Sequence, residues 1–368
     1  MRVGLVVPGF SADQADWCIP ALRHLARTLA GTDDVRVIAV RYPYRAGRYA
    51  VDGAEVIALG GAVRRGTGTL SVWRAALDAL TSEHRRRPFD VLHAFWATES
   101  GLLAAVAGRM LRVPTLVSLA GGELVALPAI GYGDQRIAWE RLKVAASLRL
   151  ASAVSAGSCH LAEHARRHVG RRSVHVLPLG VDLELFKPNG VRATGEPLLV
   201  HVGTLTGVKD QTTLLRAFAH LRRHSPAATL DIVGDGPLRA ELERLALDLG
   251  ASAAVRFPGA VDHAALPPIY RSATAFVLSS RHEAQGMVAI EAAACGIPVV
   301  GTRVGVIPEL TSAVARVGAA EALSACVATV LADPDPHARA ALDHARTDFS
   351  LDRSTARFRE RYASLLSG

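Results

Sequence analysis

The 368-residue sequence has few aromatic residues, only four cysteines and no long uncharged apolar run. The cysteines stand far apart, without the close spacing of metal-binding or redox pairs, so we expect reduced thiols and a cytoplasmic protein. No apolar run is long enough to span a bilayer, and the apolar stretch in MRVGLVVPGF is too short for a signal peptide. These absences argue against a disulfide-stabilised secreted scaffold and against a transmembrane protein.

Lysine is also rare, because only Lys143, Lys187 and Lys209 occur among the 42 basic residues. Residues 1–190 hold 24 basic and 16 acidic residues, whereas residues 191–368 hold 18 of each. The whole net charge of +8 therefore lies in the first half. Such a half suits an acidic partner or an anionic membrane surface, or it serves only solubility. No nucleic-acid-binding motif accompanies the charge, so we expect no nucleic-acid partner.

Apolar strand-like runs alternate with helical runs along the whole chain, which predicts α/β domains with parallel, doubly wound sheets. The chain is too long for one ordinary core, and the pattern restarts at Leu198. We therefore predict a first domain over residues 1–188, a polar linker over 189–197 and a second domain over 198–350. A C-terminal helix over 351–368 is expected to pack back towards the first domain.

Two stretches of the first domain carry local expectations. Residues 41–70 are rich in glycine, arginine and tyrosine, and they are expected to be irregular. This stretch suits contact with sugar rings or a membrane surface, or it is a loop packed by its own rings. Residues 135–150 have helical apolar spacing and are expected to form a long amphipathic helix.

The most informative stretch is Ser279–Glu309, SSRHEAQGMVAIEAAACGIPVVGTRVGVIPE. It follows the apolar run Ala275–Leu278, which predicts a buried parallel strand, and it holds a predicted helix from about residue 287 to 295. Glu283 lies in the strand-to-helix turn and Glu291 inside the helix. Strand ends in α/β sheets bind ligands and helix N-termini attract anions, so the pair predicts a site for an anionic ligand with hydroxyl groups. The alternative is two solvated glutamates.

This stretch resembles the retaining GT-B glycosyltransferases of the GT4 family, whose Glu-x7-Glu hallmark corresponds to Glu283 and Glu291. Further positions that match are Gly286, Glu291–Val300, Gly305 and Pro308-Glu309. The resemblance implies a GT-B fold of two Rossmann-like, doubly wound domains facing a cleft, with the donor in the second domain and the acceptor in the first. It also implies a retaining, metal-independent hexosyltransferase that needs no cofactor beside its nucleotide-sugar substrate.

For the second domain, the resemblance implies that Glu283 is the catalytic carboxylate beside the transferred sugar. Glu291 would accept hydrogen bonds from the ribose hydroxyls, and Lys209 would neutralise the donor diphosphate. Thr204 stands where the family has a second cation, an arginine, and Arg281 or Arg303 could supply that charge instead. The remaining candidates for donor contact are loop and turn residues, namely Gly203, Thr204, Gly234, Gly236, Gln285, Gly286, Met287 and Val288.

For the first domain, the segment Asp90–Phe95 resembles the Asp-Val-x-His-x-His strand end of the family. His93 is therefore a candidate catalytic residue, with a core histidine as the alternative reading. Phe95 replaces the second histidine of that pattern, and Ala120 stands where the family often has another. Gly9 and Glu123 are the candidate acceptor contacts.

We therefore expect a retaining glycosyltransferase that moves a sugar from a nucleotide-diphosphate sugar, UDP being the family's commonest carrier, to a hydroxyl acceptor. The basic first half allows an anionic or membrane-associated acceptor and a position at the inner face of the membrane. Thr204, Phe95 and Ala120 motivate the alternative of a non-catalytic GT-B partner subunit, and a nucleotide-sugar epimerase ranks last. Residues 333–335 (Asp-Pro-Asp) are interpreted as a helix-ending turn, not a metal motif. The sugar, the base, the acceptor and the oligomeric state stay open.

Overall fold

The structure is a computed structural model, and it describes residues 1–61, 67–170, 173–190 and 195–367. Within these residues the chain forms two compact units. Unit 1 comprises residues 1–128, residues 133–180 and the C-terminal stretch that begins at Leu351, whereas unit 2 comprises Ala129–Tyr132 and Val181–Ser350. No described helix is both long and apolar enough to cross a membrane.

The strands are β1 Arg2–Gly9, β2 Asp34–Tyr42, β3 Ala46–Val51, β4 Ala54–Leu59, β5 Val91–Phe95, β6 Thr115–Leu119, β7 Ala153–Ala156, β8 Val174–Val176, β9 Leu198–Val202, β10 Thr229–Val233, β11 Val255–Gly259, β12 Ala275–Leu278, β13 Val299–Thr302 and β14 Val314–Ala315. The helices are α1 Pro20–Ala30, α2 Thr67–Arg86, α3 Glu99–Leu111, α4 Ala138–Leu150, α5 Cys159–Arg166, α6 Gln211–Arg222, α7 Arg239–Asp248, α8 Leu266–Ser272, α9 Met287–Ala294, α10 Ile307–Leu310, α11 Ala320–Ala332, α12 Pro334–Asp348 and α13 Leu351–Leu366. Short 3-10 turns lie at Pro128–Ile130, Asp134–Arg136, Ser252–Ala254 and His263–Ala265.

Each unit is built on its own sheet. In the described residues of unit 1 the strand order is β3-β4-β2-β1-β5-β6-β7-β8, and in those of unit 2 it is β11-β10-β9-β12-β13-β14. All pairs of neighbouring strands are parallel except β3 and β4. The strands of the middle of each sheet are buried apolar runs, as expected for parallel strands with helices on both faces.

Residues 41–70 differ from the sequence expectation, because most of their described part is regular. β3 and β4 form an antiparallel pair at the edge of the first sheet. Asp52 and Gly53 join them with φ values of 50° and 84°, the left-handed pair that a tight two-residue hairpin requires. The Asp-Gly dipeptide was therefore a hairpin signal that we overlooked. Residues 62–66 of this stretch lie outside the described residues.

The boundary between the units also lies earlier than predicted. Residues 181–188, which we assigned to the first domain, belong to unit 2 because Val181 and Phe186 are buried in its core. Residues 191–194 of the predicted linker lie outside the described residues. Helix α13 belongs to unit 1, where Phe358 and Tyr362 are buried among the strands and α1.

Helix α4 begins at Ala138 and is not amphipathic in the expected way. Val144 and Leu148 are buried on one side, but Trp139 and Leu142 are 56% and 57% exposed. The predicted helix-ending turn at residues 333–335 ends α11 and, in addition, begins α12, with Pro334 in the first turn of α12.

Candidate functional site

A partly buried ion pair lies at the carboxyl end of the unit 2 sheet, where β9 and β12 are neighbours. Lys209 Nζ donates to Glu283 Oε1 at 2.5 Å, and Ser280 Oγ donates to the same oxygen at 2.7 Å. Burial alone would raise the pKa of Glu283. The charge of Lys209 and the two hydrogen bonds outweigh that effect and hold the pKa below its usual value. The predicted catalytic carboxylate and the predicted diphosphate-binding lysine are therefore direct partners.

The loop that carries Lys209 is held against the turn that follows β10. Gly203 N donates to Val233 O, and Leu205 N donates to Asp235 O at 3.0 Å. Gly234 has a φ of 132°, and a Cβ there would overlap the carbonyl oxygen of Gly203. Only glycine allows so close an approach of two backbones. The structure thus brings together the predicted donor residues Gly203, Gly234 and Gly236.

The turn around Glu283 is fixed by a second close approach. Gly305 has a φ of 52°, and a Cβ there would overlap Gln285 O and lie 2.9 Å from the Glu283 Cβ. Val306 N donates to Gln285 O at 2.8 Å, which ties this turn to the segment after β13. Gly286 precedes α9 with a φ of 95°. Met287 and Val288 form the first turn of α9, where amide groups have no acceptor within the helix.

Glu291 lies farther along α9 and is only 5% exposed. Its Oε2 accepts from the Tyr270 hydroxyl, and its Oε1 lies 3.0 Å from His263 Nε2. Tyr270 is itself fully buried, and both burial and the Glu291 carboxylate keep its pKa well above the ordinary value. The second glutamate is therefore oriented by two side chains of the preceding 3-10 turn and helix, and not by Glu283 or Lys209.

The cation positions near this edge are only partly as expected. Thr204 is exposed, and its hydroxyl lies 3.5 Å from the Thr206 hydroxyl. Arg281 Nε donates to Asp210 Oδ2 at 3.0 Å, so that arginine is engaged at the N-terminus of α6. Arg303 is exposed and follows β13. Lys209 is the only one of these cations that is paired with Glu283 in the described residues.

In unit 1, His93 lies on β5 with no exposed surface. Its Nδ1 is 2.7 Å from the Tyr362 hydroxyl of α13, and its Nε2 is 2.7 Å from the Ser118 hydroxyl of β6. Burial lowers the pKa of His93 to about 3, so the ring is neutral at physiological pH. These contacts favour the core-histidine alternative over the catalytic one. Phe95 packs against the His93 ring at a centroid distance of 4.3 Å.

Glu123 is also fully buried. Its carboxylate accepts hydrogen bonds from the backbone amides of Ala97, Ala120 and Gly121, at 2.6 to 3.2 Å. Burial raises the pKa of Glu123, although these amides partly offset the effect. The carboxylate thus links the segments that follow β5 and β6, and it has no surface left for an acceptor.

Gly9 ends β1, and a Cβ there would lie 3.0 Å from the Tyr42 Cβ and 3.4 Å from Cys18 Sγ. It is buried between the ends of β1 and β2. Among the residues that the structure describes, no three His, Cys, Asp or Glu side chains are grouped as a metal site would need. Metal independence stays a prediction.

Comparison with known proteins accounts for nearly all of the chain. The model of the family described as "Glycosyl transferases group 1" matches residues 184–348, and that of the "Glycosyl transferase 4-like domain" matches residues 19–180. The chain belongs to the GT4 glycosyltransferase family. Its two matched regions meet at residues 180–184, which agrees with the boundary between units 1 and 2.

Curated GT4 relatives align over part of their length. A D-inositol 3-phosphate glycosyltransferase of Frankia alni is 35% identical over 271 residues, which are 64% of this chain and 64% of that protein. A GDP-mannose-dependent α-(1-6)-phosphatidylinositol monomannoside mannosyltransferase of Mycolicibacterium smegmatis is 36% identical over 214 residues, 52% of this chain and 56% of that protein. The matches thus span less than two thirds of these relatives.

Solved structures show the GT-B fold. Sucrose-phosphate synthase from Thermosynechococcus elongatus has a TM-score of 0.77 at 21% identity, over 100% of this chain and 99% of that one. Anabaena HepE, solved with UDP and glucose, has a TM-score of 0.75 at 19% identity, over 99% of this chain and 100% of that one. The predicted fold class, two α/β domains with parallel sheets, is confirmed.

Several residues of this GT4 chain that contact the predicted site were missed in the sequence. His201 of β9 is buried; its Nδ1 lies 2.9 Å from Val277 O, and burial lowers its pKa to about 4. Gln211 Nε2 lies 3.2 Å from His201 Nε2 and donates to Thr204 O, so these two side chains support the Lys209 loop. His263 and Tyr270 are 28 and 21 residues from Glu291. No short-range spacing could have revealed such pairs.

Proposed function

We propose that this GT4 protein is a retaining glycosyltransferase that moves a hexose from a nucleotide-diphosphate sugar to a hydroxyl acceptor. The observation that carries the proposal is the Lys209–Glu283 pair at the strand ends of unit 2. A cation for the diphosphate and a carboxylate for the sugar are in direct contact, on loops whose backbones approach closely through Gly234 and Gly305. Anionic ligands bind at such strand ends and helix N-termini.

The roles follow from the chemistry of each group. An ammonium has three donors, so Lys209 can keep its bond to Glu283 while it donates to a diphosphate oxygen. Ser280 and Lys209 both donate to Glu283 Oε1, and we assign Oε2 to the hydroxyls of the transferred sugar. The Met287 and Val288 amides would face the same phosphate or sugar oxygens. Glu291 would accept hydrogen bonds from the ribose hydroxyls through the carboxylate lone pairs that His263 and Tyr270 do not occupy.

We propose front-face displacement with retention of anomeric configuration. The bond between the anomeric carbon and the diphosphate oxygen breaks, and the bond to the acceptor oxygen forms on the same face. The acceptor proton passes to the departing phosphate oxygen. In this scheme the protein supplies positioning and charge stabilisation. The low pKa of Glu283 supports a carboxylate that stabilises positive charge at the anomeric carbon, because it stays ionised at neutral pH.

Calorimetric titration with UDP, GDP and ADP, without divalent metal, tests the proposal. We expect one nucleotide to bind at micromolar concentration and its affinity to fall about tenfold or more in Glu291→Ala, a change of about 1.4 kcal/mol. Repetition with added Mg²⁺ tests metal independence, for which we expect unchanged affinity. If the wild type binds none of the three nucleotides, the donor site is wrong. UDP is our expected carrier because it is the commonest in the family, and the GDP-mannose-dependent relative is the reason for including GDP.

A non-catalytic partner subunit is the second candidate, favoured by the buried His93 and by Thr204 in place of an arginine. Such a subunit would bind nucleotide without turnover. Release of nucleotide from its nucleotide sugar, with water or a glycan as acceptor, distinguishes the two functions.

A further inference from the structure

An exposed apolar surface lies at the start of α4 in unit 1. Ile137, Trp139 and Leu142 are 50%, 56% and 57% exposed. Ala138 and Ala145 are exposed beside them, while Val144 and Leu148 face the core. Residues 138, 142, 145 and 149 follow helical spacing, so they form one stripe along the solvent side of the helix. We call Ile137, Trp139 and Leu142, with the arginines described next, the α4 surface.

The exposed charges of this surface are all positive. Arg136, Arg141 and Arg149 are exposed. Glu140 is the acidic residue of α4, and it is paired with Lys143 at 2.7 Å, with only 23% of its side chain exposed. The surface thus combines three large apolar side chains with three arginines, and its carboxylate is already neutralised by a lysine. The whole net positive charge of the protein lies in the same half of the sequence.

We propose that the α4 surface docks the protein on an anionic lipid bilayer. Tryptophan, isoleucine and leucine would enter the boundary between headgroups and acyl chains, where tryptophan is favoured. The arginines would remain at the level of the anionic headgroups and contribute electrostatic attraction. A short face that is both basic and apolar would contact the bilayer only at its surface. This agrees with the finding that no described helix can span a membrane.

The charge of the α4 surface favours an anionic bilayer over a second copy of the chain as its partner. A twofold dimer through the α4 surface would bring Arg141 and Arg149 of one copy close to the same arginines of the other, because such interfaces are self-complementary. Like charges at an interface oppose association. An anionic bilayer complements the same arrangement without any further acidic partner.

Vesicle flotation of the full-length protein tests the inference. The probes are vesicles of phosphatidylcholine alone and of phosphatidylcholine with about one third phosphatidylglycerol, a composition in the range where basic segments bind. We expect the wild type to float with the anionic vesicles and less so at high salt. Trp139→Ser with Leu142→Ser should lower partitioning at least tenfold, and Arg141→Gln should lower it about fivefold.

Leu247→Ser is the matched control, because Leu247 is 65% exposed on α7 of unit 2 and should leave flotation unchanged. Thermal unfolding and nucleotide titration verify that each variant is folded. Failure of the wild type to float with anionic vesicles at low salt overturns the proposal, and so does unchanged flotation of the double variant. A dimer in light scattering that the double variant loses would assign the surface to self-association instead. Because flotation needs no nucleotide, failure of the donor-site proposal would be seen separately.

Discussion

The sheets of the two units carry polar groups that are used in opposite ways. In unit 2, the Lys209 and Glu283 side chains remain 20% and 11% exposed and pair with each other. In unit 1, His93 and Glu123 have no exposed surface, and neighbouring protein groups satisfy them. Both sets occupy strands or strand ends of parallel sheets. The difference indicates that the unit 2 pair keeps surface that a ligand could reach, whereas protein groups within unit 1 already satisfy the residues predicted there for catalysis and acceptor contact.

This comparison also explains why the family pattern predicted side-chain positions better in unit 2 than in unit 1. The Glu-x7-Glu segment is constrained by a backbone contact. The Gln285 carbonyl lies so close to Gly305 that no residue with a side chain fits at position 305. The strand-end histidine of unit 1 is constrained only by a pocket that Tyr362 and Ser118 complete. A sequence match to His93 therefore locates a strand but does not reveal whether the ring is catalytic or part of the core.

The largest effect should come from filling the close backbone approach beside Glu283. Gly305→Ala would place its Cβ on Gln285 O and 2.9 Å from the Glu283 Cβ, at a φ of 52°. We expect a loss of about 2–4 kcal/mol of unfolding free energy and loss of nucleotide binding, because overpacking and left-handed backbone strain together displace the turn. Denaturant unfolding and calorimetric titration measure both effects.

Gly318→Ala is the control for this substitution. Gly318 has a φ of 76° in the same unit, but nothing lies within 4 Å of a Cβ there. It should cost only the left-handed backbone strain, about 1 kcal/mol, and leave nucleotide affinity unchanged. Equal effects of the two substitutions would show that strain, and not the packing of the Glu283 turn, explains the loss.

The second effect concerns the cation of the donor side. Lys209→Met removes the charge that faces Glu283 and, in our proposal, the diphosphate. A charged hydrogen bond contributes about 1.5–3 kcal/mol, so nucleotide-diphosphate affinity should fall about tenfold to a hundredfold. Affinity for the bare nucleoside should change little, which separates phosphate contact from general damage. Calorimetric titration of both ligands measures the difference.

Lys187→Met provides the comparison, because Lys187 is an exposed lysine of unit 2 that pairs with Glu184 at 2.9 Å. It should leave both affinities unchanged. If Lys209→Met binds the diphosphate as tightly as the wild type, the assignment of Lys209 to the donor is untenable, even where Glu283 remains essential.

The third effect is a pH dependence that comes from unit 1. His93 has a pKa of about 3 in the folded chain, against 6.5 for an ordinary histidine. Between these values the unfolded chain binds a proton that the folded chain does not, so stability falls as the pH drops below about 6.5. At about pH 5 this loss is about 2 kcal/mol for one histidine. His93→Gln should remove that part of the loss, as denaturant unfolding at about pH 7.5 and 5 would measure.

The same variant tests which role His93 has. A core role predicts lower stability at neutral pH but normal turnover for each folded molecule. A catalytic role predicts normal nucleotide affinity with turnover reduced by about a hundredfold or more. The second result would contradict the contrast that we draw between the two units.

Much of this arrangement was accessible from the sequence, but unevenly. The strand Ala275–Leu278 has the predicted ends and the C-terminal helix begins at the predicted Leu351, because apolar periodicity and buried runs determine them directly. The sequence assigned Lys209 and Glu283 to one donor site, but their direct hydrogen bond was seen only in the structure. The partners of Glu291 were not predicted, because His263 and Tyr270 reach it only through tertiary packing. The Asp52-Gly53 hairpin was readable and was missed.

The smallest effect should come from restoring the family's missing cation. Thr204 is exposed and lies in the loop that leads from Gly203 to Lys209. Thr204→Arg adds a flexible guanidinium, which can donate to a diphosphate oxygen but must lose side-chain freedom to do so. Exposed ion pairs contribute about 0–1 kcal/mol, so we expect a gain in nucleotide-diphosphate affinity of up to about fivefold. The gain should shrink at high salt, since exposed charges are screened. Thr206→Arg, two residues along the same loop, serves as the control, and an equal gain there would mean that Thr204 is not the missing diphosphate contact.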